Sequence, residues 1–198
     1  MIKNLSKIGL VLLCAVLTVS ATGQTNFAID TKKSTLAWEG KKITGKHNGN
    51  VDIKSGTLVI KNNNIAGGNF VIDMNSITCA DIENEEYNKK LVGHLKNDDF
   101  FATEKYPTAS LVLKKIKRYK SEAGKYELTA DLTIKGITKS IVFPAKLTKT
   151  GNTYKATANI TIDRTLWNIQ YGSSKFFDAL GDKAIKDDIN FNVELQTK

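Results

Sequence analysis

The residues best suited to chemistry are two histidines and the carboxylates that follow one of them. His47 stands in GKHNG, and His94 stands in GHLKNDDFFATEKYP, just before Asp98 and Asp99. Imidazole and carboxylate groups can share a proton or hold a metal ion. However, neither histidine has a partner four residues away, and adjacent aspartates point in different directions. We predict no catalytic residue and no metal site, and we expect histidines beside glycines to brace turns.

Other chemical motifs are absent from the sequence. It contains no HExxH, CxxC, GxSxG or P-loop pattern. Arg164 follows an alternating segment and has the same parity as Ile160 and Ile162, so it is expected to point inward. A buried guanidinium needs an anionic partner. Both a protein carboxylate and a ligand head group satisfy that need, and the sequence leaves the choice open.

The N-terminal residues have the pattern of a secretory signal. Lys3 and Lys7 precede an uncharged, mostly apolar run at residues 8–21, which is too short to span a bilayer as a helix. We predict a signal peptide at residues 1–23, with cleavage after Ala21 or Gly23, and a single domain at residues 24–198. The expected location is therefore periplasmic or secreted.

Charge and cysteine content restrict the partners. The formal charge is +9, or +7 without Lys3 and Lys7, and the lysines are scattered. We expect no nucleic acid partner, whereas transient contact with an anionic membrane surface is consistent with the excess of lysine. A homodimer is left open. Only Cys79 lies outside the predicted signal peptide, so no internal disulfide is expected, and this thiol is expected to be a buried or half-buried side chain without a redox partner.

Alternation of apolar and polar residues is the dominant pattern and predicts β-strands. In YELTADLTIK, at residues 126–135, every second side chain is apolar or aromatic. YKATANITID, SIVFPAKLT and DINFNVELQ repeat the pattern, and four shorter segments complete about eight strands. Short connections such as residues 54–56 and 62–64 favour antiparallel hairpins.

Helical periodicity is confined to one segment. Residues at about 83–97 carry acids early, lysines late and an apolar stripe, which predicts one amphipathic helix. Residues 174–180 are a candidate for a second, shorter helix. The strands can form a barrel or a sandwich. Small inward residues such as Ala130, Ala145 and Ala158 favour a barrel with a partly vacant, apolar interior.

Several segments together resemble the YceI family of exported, lipocalin-like proteins. The similar segments occur in family order and span nearly the whole predicted domain: KITGKHNG, FVIDMNSI, LVGHLKNDDFFATEKYP, LTIKGITKSIVFP, and Arg164 with Trp167, Ile169, Tyr171 and Gly172. The resemblance implies an all-β fold, an eight-stranded antiparallel lipocalin-like barrel, whose interior holds an isoprenoid or other alkyl chain without catalysis. The chain departs from the family at Ala102 and Ala130, where an acid and a glycine are common.

These observations predict a protein that binds a polyisoprenoid or related lipid, such as an isoprenoid quinone, for sequestration or transport in the cell envelope. No cofactor is expected other than this bound lipid. The residues predicted to contact the ligand share inward positions or the corner around GHLKNDDFF: Leu36, Trp38, His47, Phe70, Ile72, Met74, His94, Leu95, Phe100, Phe101, Leu111, Leu113, Leu128, Ala130, Leu132, Phe143, Ala158, Ile160 and Arg164.

Two alternatives remain from the sequence. The first is a lipid-acting enzyme that uses His47, His94 and Asp98 or Asp99, which requires these groups to converge in one cleft. The second is an envelope interaction module without a ligand, which requires an exposed apolar patch. No such patch is expected, because the outward strand positions are mostly threonine, lysine, aspartate and asparagine.

Overall fold

Ten strands and one α-helix form the part of the chain that the computed structural model describes, residues 23–198. The strands pair into one antiparallel sheet, and the helix α1 is Glu85–Lys96. In chain order the strands are β1 Gln24–Ala28, β2 Thr35–Lys42, β3 Gly45–Asn50, β4 Asp52–Lys61, β5 Asn64–Asp73, β6 Thr108–Arg118, β7 Lys125–Ile134, β8 Ile137–Thr150, β9 Thr153–Asp163 and β10 Ile185–Gln196. The predicted signal peptide lies outside the described residues, except for Gly23.

The sheet curls until its two ends meet. Its order is β1-β4-β5-β6-β7-β8-β9-β10-β2-β3, yet β3 continues into β4 through a single residue, Val51. The N–H of Val51 donates to the carbonyl of Leu36 (3.0 Å), and Ile29 bridges to Thr197 beside β10. The sheet is therefore wrapped into a barrel whose seam is held by chain continuity and a few backbone hydrogen bonds.

The predicted all-β, antiparallel, lipocalin-like class is confirmed, but the strand number differs from the expected eight. The additional strands are β1 and β3, whose sequences QTNFA and GKHNGN lack alternation. Backbone pairing with β4 and β2 makes them strands. Residues 54–56, expected as a turn, lie inside β4 at an irregularity of register. If β1 and β2 are counted as one interrupted strand, and β3 and β4 as another, the barrel has eight strands.

Helix α1 matches the prediction at about 83–97 closely. The side chain of Asn84 caps it by accepting from the N–H groups of Glu86 and Tyr87. The second predicted helix, at residues 174–180, is wrong. Residues 172–185 instead form a turn-rich loop, here called the opening loop, and Ala179 has a positive φ of 56° that interrupts helical geometry. The N–H of Ile185 donates to the carbonyl of Gly172 (2.8 Å), which ties the two ends of the loop together.

One end of the barrel is filled by side chains. Tyr126 and Tyr154 are buried there, and their hydroxyls donate to Asn64 Oδ1 (3.1 Å) and Asn63 Oδ1 (2.7 Å) in the β4–β5 hairpin. Phe27 packs edge-on against Tyr154, with ring centroids 5.0 Å apart. Helix α1 and the opening loop lie at the opposite end. No helix within residues 23–198 is both long and apolar enough to cross a bilayer.

Candidate functional site

A cavity of about 720 Å³ occupies the barrel between the tyrosine-filled end and helix α1. Leu58 and Ile65 border its deep part, whereas Leu91, His94 and Leu95 of α1 border its open end. His94 and Leu95 lie three and four positions after Leu91, so both are neighbours of Leu91 on the helix surface. The volume lies in the range of ligand-binding cavities, about 300–1,000 Å³. The wall is predominantly apolar, so the space suits a hydrocarbon better than a polar metabolite.

The structure places all but one of the predicted contact residues on the wall of this cavity. These residues come from β2, β3, β5 to β9 and their ends, from α1 and from the corner that follows it: Leu36, Trp38, His47, Phe70, Ile72, Met74, His94, Leu95, Phe100, Phe101, Leu111, Leu113, Leu128, Leu132, Phe143, Ala158, Ile160 and Arg164. The exception is Ala130, which has no exposed surface because neighbouring side chains cover it. Contact of these residues with a ligand stays a prediction.

The sequence reasoning missed part of the wall. Strand β10 contributes Ile189, Phe191, Val193 and Leu195, which the same period-two pattern could have supplied. It also missed the charged rim. Four lysines and one acid border the open end: Lys41, Lys42, Lys183, Lys186 and Asp182. They come from the end of β2, the opening loop and the start of β10, which are distant in sequence. Only the folded chain therefore reveals that they lie together.

Exposed apolar side chains also lie on the opening loop and the β2–β3 hairpin. Phe176 and Phe177 of the opening loop are each 48% exposed, and Ile43, at the tip of the β2–β3 hairpin, is 57% exposed. The N–H of Ile43 donates to the carbonyl of Ala184 (3.4 Å), so the two elements touch. The expectation of no exposed apolar patch is therefore wrong at this end. It failed because it considered only outward strand positions, whereas these side chains lie in a hairpin turn and a loop.

His94 belongs to an aromatic cluster at the open end. Its ring meets those of Phe100 and Tyr171 edge-on, with centroid distances of 4.9 Å and 4.5 Å. Its Nε2 lies 3.2 Å from Asp99 Oδ2, whereas Asp98 accepts from Lys105 Nζ at 2.9 Å. This hydrogen bond from the lysine lowers the pKa of Asp98. The two aspartates have different partners and do not act as a carboxylate pair.

Arg164 lies at the wall with only 1% of its side chain exposed, and its partners belong to the protein. Its guanidinium donates to the carbonyls of Ile169 (2.8 Å), Ile185 (3.2 Å) and Lys186 (3.2 Å). Its Nη2 is also 3.4 Å from Asp187 Oδ1. Burial lowers the pKa of Arg164, and the nearby aspartates oppose that shift. Of the two partners left open by the sequence, the protein carboxylate is the one observed.

His47 is held by Asp81 within a strand and not in a turn, which corrects the expectation for GKHNG. Its Nδ1 lies 2.9 Å from Asp81 Oδ2, while Asp81 Oδ1 accepts from the N–H of Asn48 (2.9 Å) and from Cys79 Sγ (3.3 Å). Cys79 is a free, buried cysteine whose thiol has a carboxylate as its polar partner. Burial raises the pKa of Asp81, but the hydrogen bonds from Asn48 and His47 outweigh it and lower the value from 3.8 to about 2.

Replacing Asp81 with asparagine is expected to lower the free energy of unfolding by about 1–2 kcal/mol at neutral pH, because hydrogen bonds to a charged group are stronger than neutral ones. The folded-state pKa of about 2 lies below the ordinary 3.8. The stabilisation is therefore complete above pH 3.8 and is lost as the pH falls through about 2. Denaturant unfolding of both proteins at pH 7 and near pH 3 measures this. An equal difference at the two pH values would contradict the role of the charge.

Each histidine has its own carboxylate. His47 pairs with Asp81 from the segment after β5, and His94 pairs with Asp99 from the corner after α1. Both rings border the cavity. The arrangement lacks the single cluster of both histidines with one carboxylate that the enzyme alternative requires. The wall as a whole offers mostly apolar surface to a ligand and places its charged side chains around the open end.

Comparison with known proteins identifies relatives that share this fold. Residues 27–197 match a family model described as "YceI-like domain". A protein named UPF0312 protein plu2095, from Photorhabdus laumondii, is 33% identical over 105 residues, which cover 53% of this chain and 45% of the relative. The chain thus spans about half the length of that curated relative.

Two solved structures resemble the barrel closely enough to establish the shared fold. BcnA from Burkholderia cenocepacia superposes with a TM-score of 0.65 at 21% identity, covering 86% of this chain and 99% of that one. A domain from Saccharophagus degradans, described as polyisoprenoid-binding and implicated in plant cell wall breakdown, superposes with a TM-score of 0.63 at 15% identity. That match covers 87% of this chain and 97% of that domain.

Proposed function

The chain belongs to the YceI-like domain family, and from that premise we propose that it binds a polyisoprenoid or related long-chain lipid inside its barrel, for sequestration or transport in the cell envelope. The observation that carries the proposal is the apolar cavity of about 720 Å³ that runs from α1 to the closed end. The polyisoprenoid-binding domain of similar fold supports the same class of ligand.

The energetics favour a long hydrocarbon. Each buried methylene contributes about 0.8 kcal/mol, so a chain of about ten carbons gains about 8 kcal/mol before its ordering is subtracted. The deep wall offers Leu58, Ile65, Leu128 and Phe143 and presents no charged side chain. Affinity therefore comes from the length of the buried chain, and the ligand's polar group remains at the lysine-bearing open end.

Native mass spectrometry of the purified protein tests the proposal directly. We expect a bound mass that organic extraction releases as a prenyl or alkyl chain. Protein stripped of lipid should then take up an added isoprenoid quinone in a one-to-one complex. A mass without ligand, together with no uptake of added quinone or polyprenyl chains, would contradict the proposal.

The open end is proposed to meet an anionic membrane when lipid is exchanged. Four lysines border it, and Phe176, Phe177 and Ile43 are exposed on the same elements. Basic groups near an anionic bilayer contribute about 1 kcal/mol each, and aromatic side chains favour the interface. The location proposed for this activity is the periplasm or the exterior, reached through the predicted signal peptide.

Reversing the charge of Lys183 and Lys186 to glutamate is expected to weaken binding to vesicles that contain anionic lipid by about tenfold or more. The matched control is the same double reversal at Lys61 and Lys149, which belong to the closed end and change the net charge equally. Cosedimentation with anionic vesicles, and with neutral phosphatidylcholine vesicles, measures the membrane binding of both double variants. Equal loss in the two variants would show that only net charge matters and would contradict a docking end.

A further inference from the structure

The His47, Cys79 and Asp81 side chains bring three different metal-binding groups together. The imidazole nitrogen, the thiol sulfur and the carboxylate oxygens offered by these residues all lie within 4.8 Å of one another. Two of the separations are shorter, 2.9 Å between His47 Nδ1 and Asp81 Oδ2 and 3.3 Å between Cys79 Sγ and Asp81 Oδ1. Ligands around a tetrahedral zinc ion are separated by about 3.3–3.6 Å, given bond lengths of about 2.0–2.3 Å. Small side-chain shifts would therefore suffice for coordination.

The backbone that carries these groups is held firmly. Cys79 and Asp81 lie in a segment that runs beside β3, where the N–H of Ala80 donates to the carbonyl of Asn48 (2.8 Å). The side-chain amide of Asn88, in α1, donates to the carbonyl of Cys79 (3.0 Å). Positioned ligands on a fixed backbone lose little conformational entropy when an ion binds.

Gly49 makes this close approach feasible. A Cβ atom at Gly49 would lie 1.9 Å from the carbonyl oxygen of Thr78, which no side chain could tolerate. The N–H of Thr78 donates to the carbonyl of Asn50 (2.9 Å), and its carbonyl accepts from Trp38 Nε1 (3.0 Å). The glycine thus lets the segment that bears the thiol and the carboxylate pack directly against the strand that bears the imidazole.

We propose that His47, Cys79 and Asp81 form a zinc-binding site beside the open end of the cavity. His47 binds through Nδ1, with its ring proton on Nε2, while Cys79 releases its thiol proton to solvent and binds as thiolate. Three protein ligands leave a fourth position for water or another oxygen. His47 also borders the cavity, so the proposed site lies beside the open end of the barrel.

Burial and exposure at the site agree with exchangeable binding. The side chains of His47 and Asp81 are 36% and 27% exposed, so an ion can reach them from solvent. The hydrogen bond from Cys79 Sγ to Asp81 Oδ1 (3.3 Å) holds the thiol in place while no ion is bound. When an ion binds, metal–ligand bonds replace the hydrogen bonds among His47, Cys79 and Asp81.

Cobalt titration followed by zinc competition tests this site. The full chain, freed of metal with a chelator, is expected to bind one Co²⁺ with the near-ultraviolet charge-transfer absorption of a cobalt thiolate, and one Zn²⁺ should displace it. Cys79→Ser should abolish that absorption and weaken zinc binding by tenfold or more. His47→Gln and Asp81→Asn should weaken it similarly. Cys14 is present in every variant, so the differences report on Cys79.

The matched control is His94→Gln, because His94 pairs with Asp99 in a histidine–carboxylate contact without a thiol. It should leave cobalt absorption and zinc stoichiometry unchanged. Circular dichroism in the presence of chelator shows whether each variant is folded. If Cys79→Ser does not fold, His47→Gln is used in its place. Wild-type protein without thiolate absorption, or Cys79→Ser with unaltered zinc affinity, would overturn the proposal. Lipid uptake is measured separately, so either proposal can fail alone.

Discussion

Replacing Ala158 with tryptophan is expected to abolish uptake of a long-chain lipid while the barrel stays folded. Ala158 borders the cavity on β9, and in the register of the sheet it lies between Ala145 of β8 and Val193 of β10. An indole at this position fills space that the hydrocarbon needs. Since each displaced methylene costs about 0.8 kcal/mol, exclusion of about five carbons weakens binding by about three orders of magnitude. Fluorescence or mass-spectrometric titration with an isoprenoid quinone measures the loss.

Val142→Trp is the matched control for this experiment. Val142 is 64% exposed on the outer face of β8, so the same indole should leave uptake unchanged. Ala130, also a predicted contact, is a poorer probe. It has no exposed surface, and tryptophan there would overpack the wall and destabilise the barrel. Folded Ala158→Trp protein that binds lipid as tightly as wild type would show that the ligand does not occupy this cavity.

Arg164→Met is expected to lower the free energy of unfolding by about 3–5 kcal/mol, the range for removing one partner of a buried ion pair. Methionine keeps an apolar stem, but three carbonyls lose their donor and Asp187 loses its closest guanidinium contact. Within residues 23–198, Asp187 Oδ1 has no hydrogen-bond partner even before the substitution, so it cannot readily compensate. Chemical denaturation at neutral pH measures the effect.

Lys175→Met tests whether the destabilisation expected for Arg164→Met arises from burial of the guanidinium. Lys175 contacts Asp163 Oδ2 at 2.6 Å and Asp187 Oδ2 at 3.2 Å, yet its side chain is 55% exposed. Exposed ion pairs contribute about 0–1 kcal/mol, so this variant should be nearly as stable as wild type. Similar small losses in both variants would show that Arg164 is not needed to hold the β9–β10 end of the barrel.

The barrel could be predicted from the sequence where side chains alternate in step with burial. In β7, Tyr126, Leu128, Leu132 and Ile134 are all buried, as the pattern required. Strand β3 could not be found in this way. GKHNGN contains no apolar alternation. It forms a strand through backbone pairing with β2 and through packing of the segment around Thr78 on Gly49.

The cavity wall was largely predictable, whereas its rim was not. Inward positions follow from a period of two, which is local information. The grouping of Lys41 and Lys42 with Lys183 and Lys186 depends on where a hairpin and a loop meet, more than a hundred residues apart in sequence. The contact between His47 and Asp81 has the same origin, since 34 positions separate the two residues. Long-range pairing of this kind follows from topology and leaves no periodic signal.

The tyrosine-filled end of the barrel gives the cavity a fixed depth, which would limit the length of hydrocarbon that can be buried. Under the proposed function, the tail of a lipid that enters past α1 would advance toward the end that Tyr126 and Tyr154 fill. Carbons beyond the depth of the cavity would remain in water, so affinity should rise with chain length and then level off. On release, the polar end would leave first and the last buried carbons would follow. The proposed ligand would therefore be selected by chain length and released in one direction.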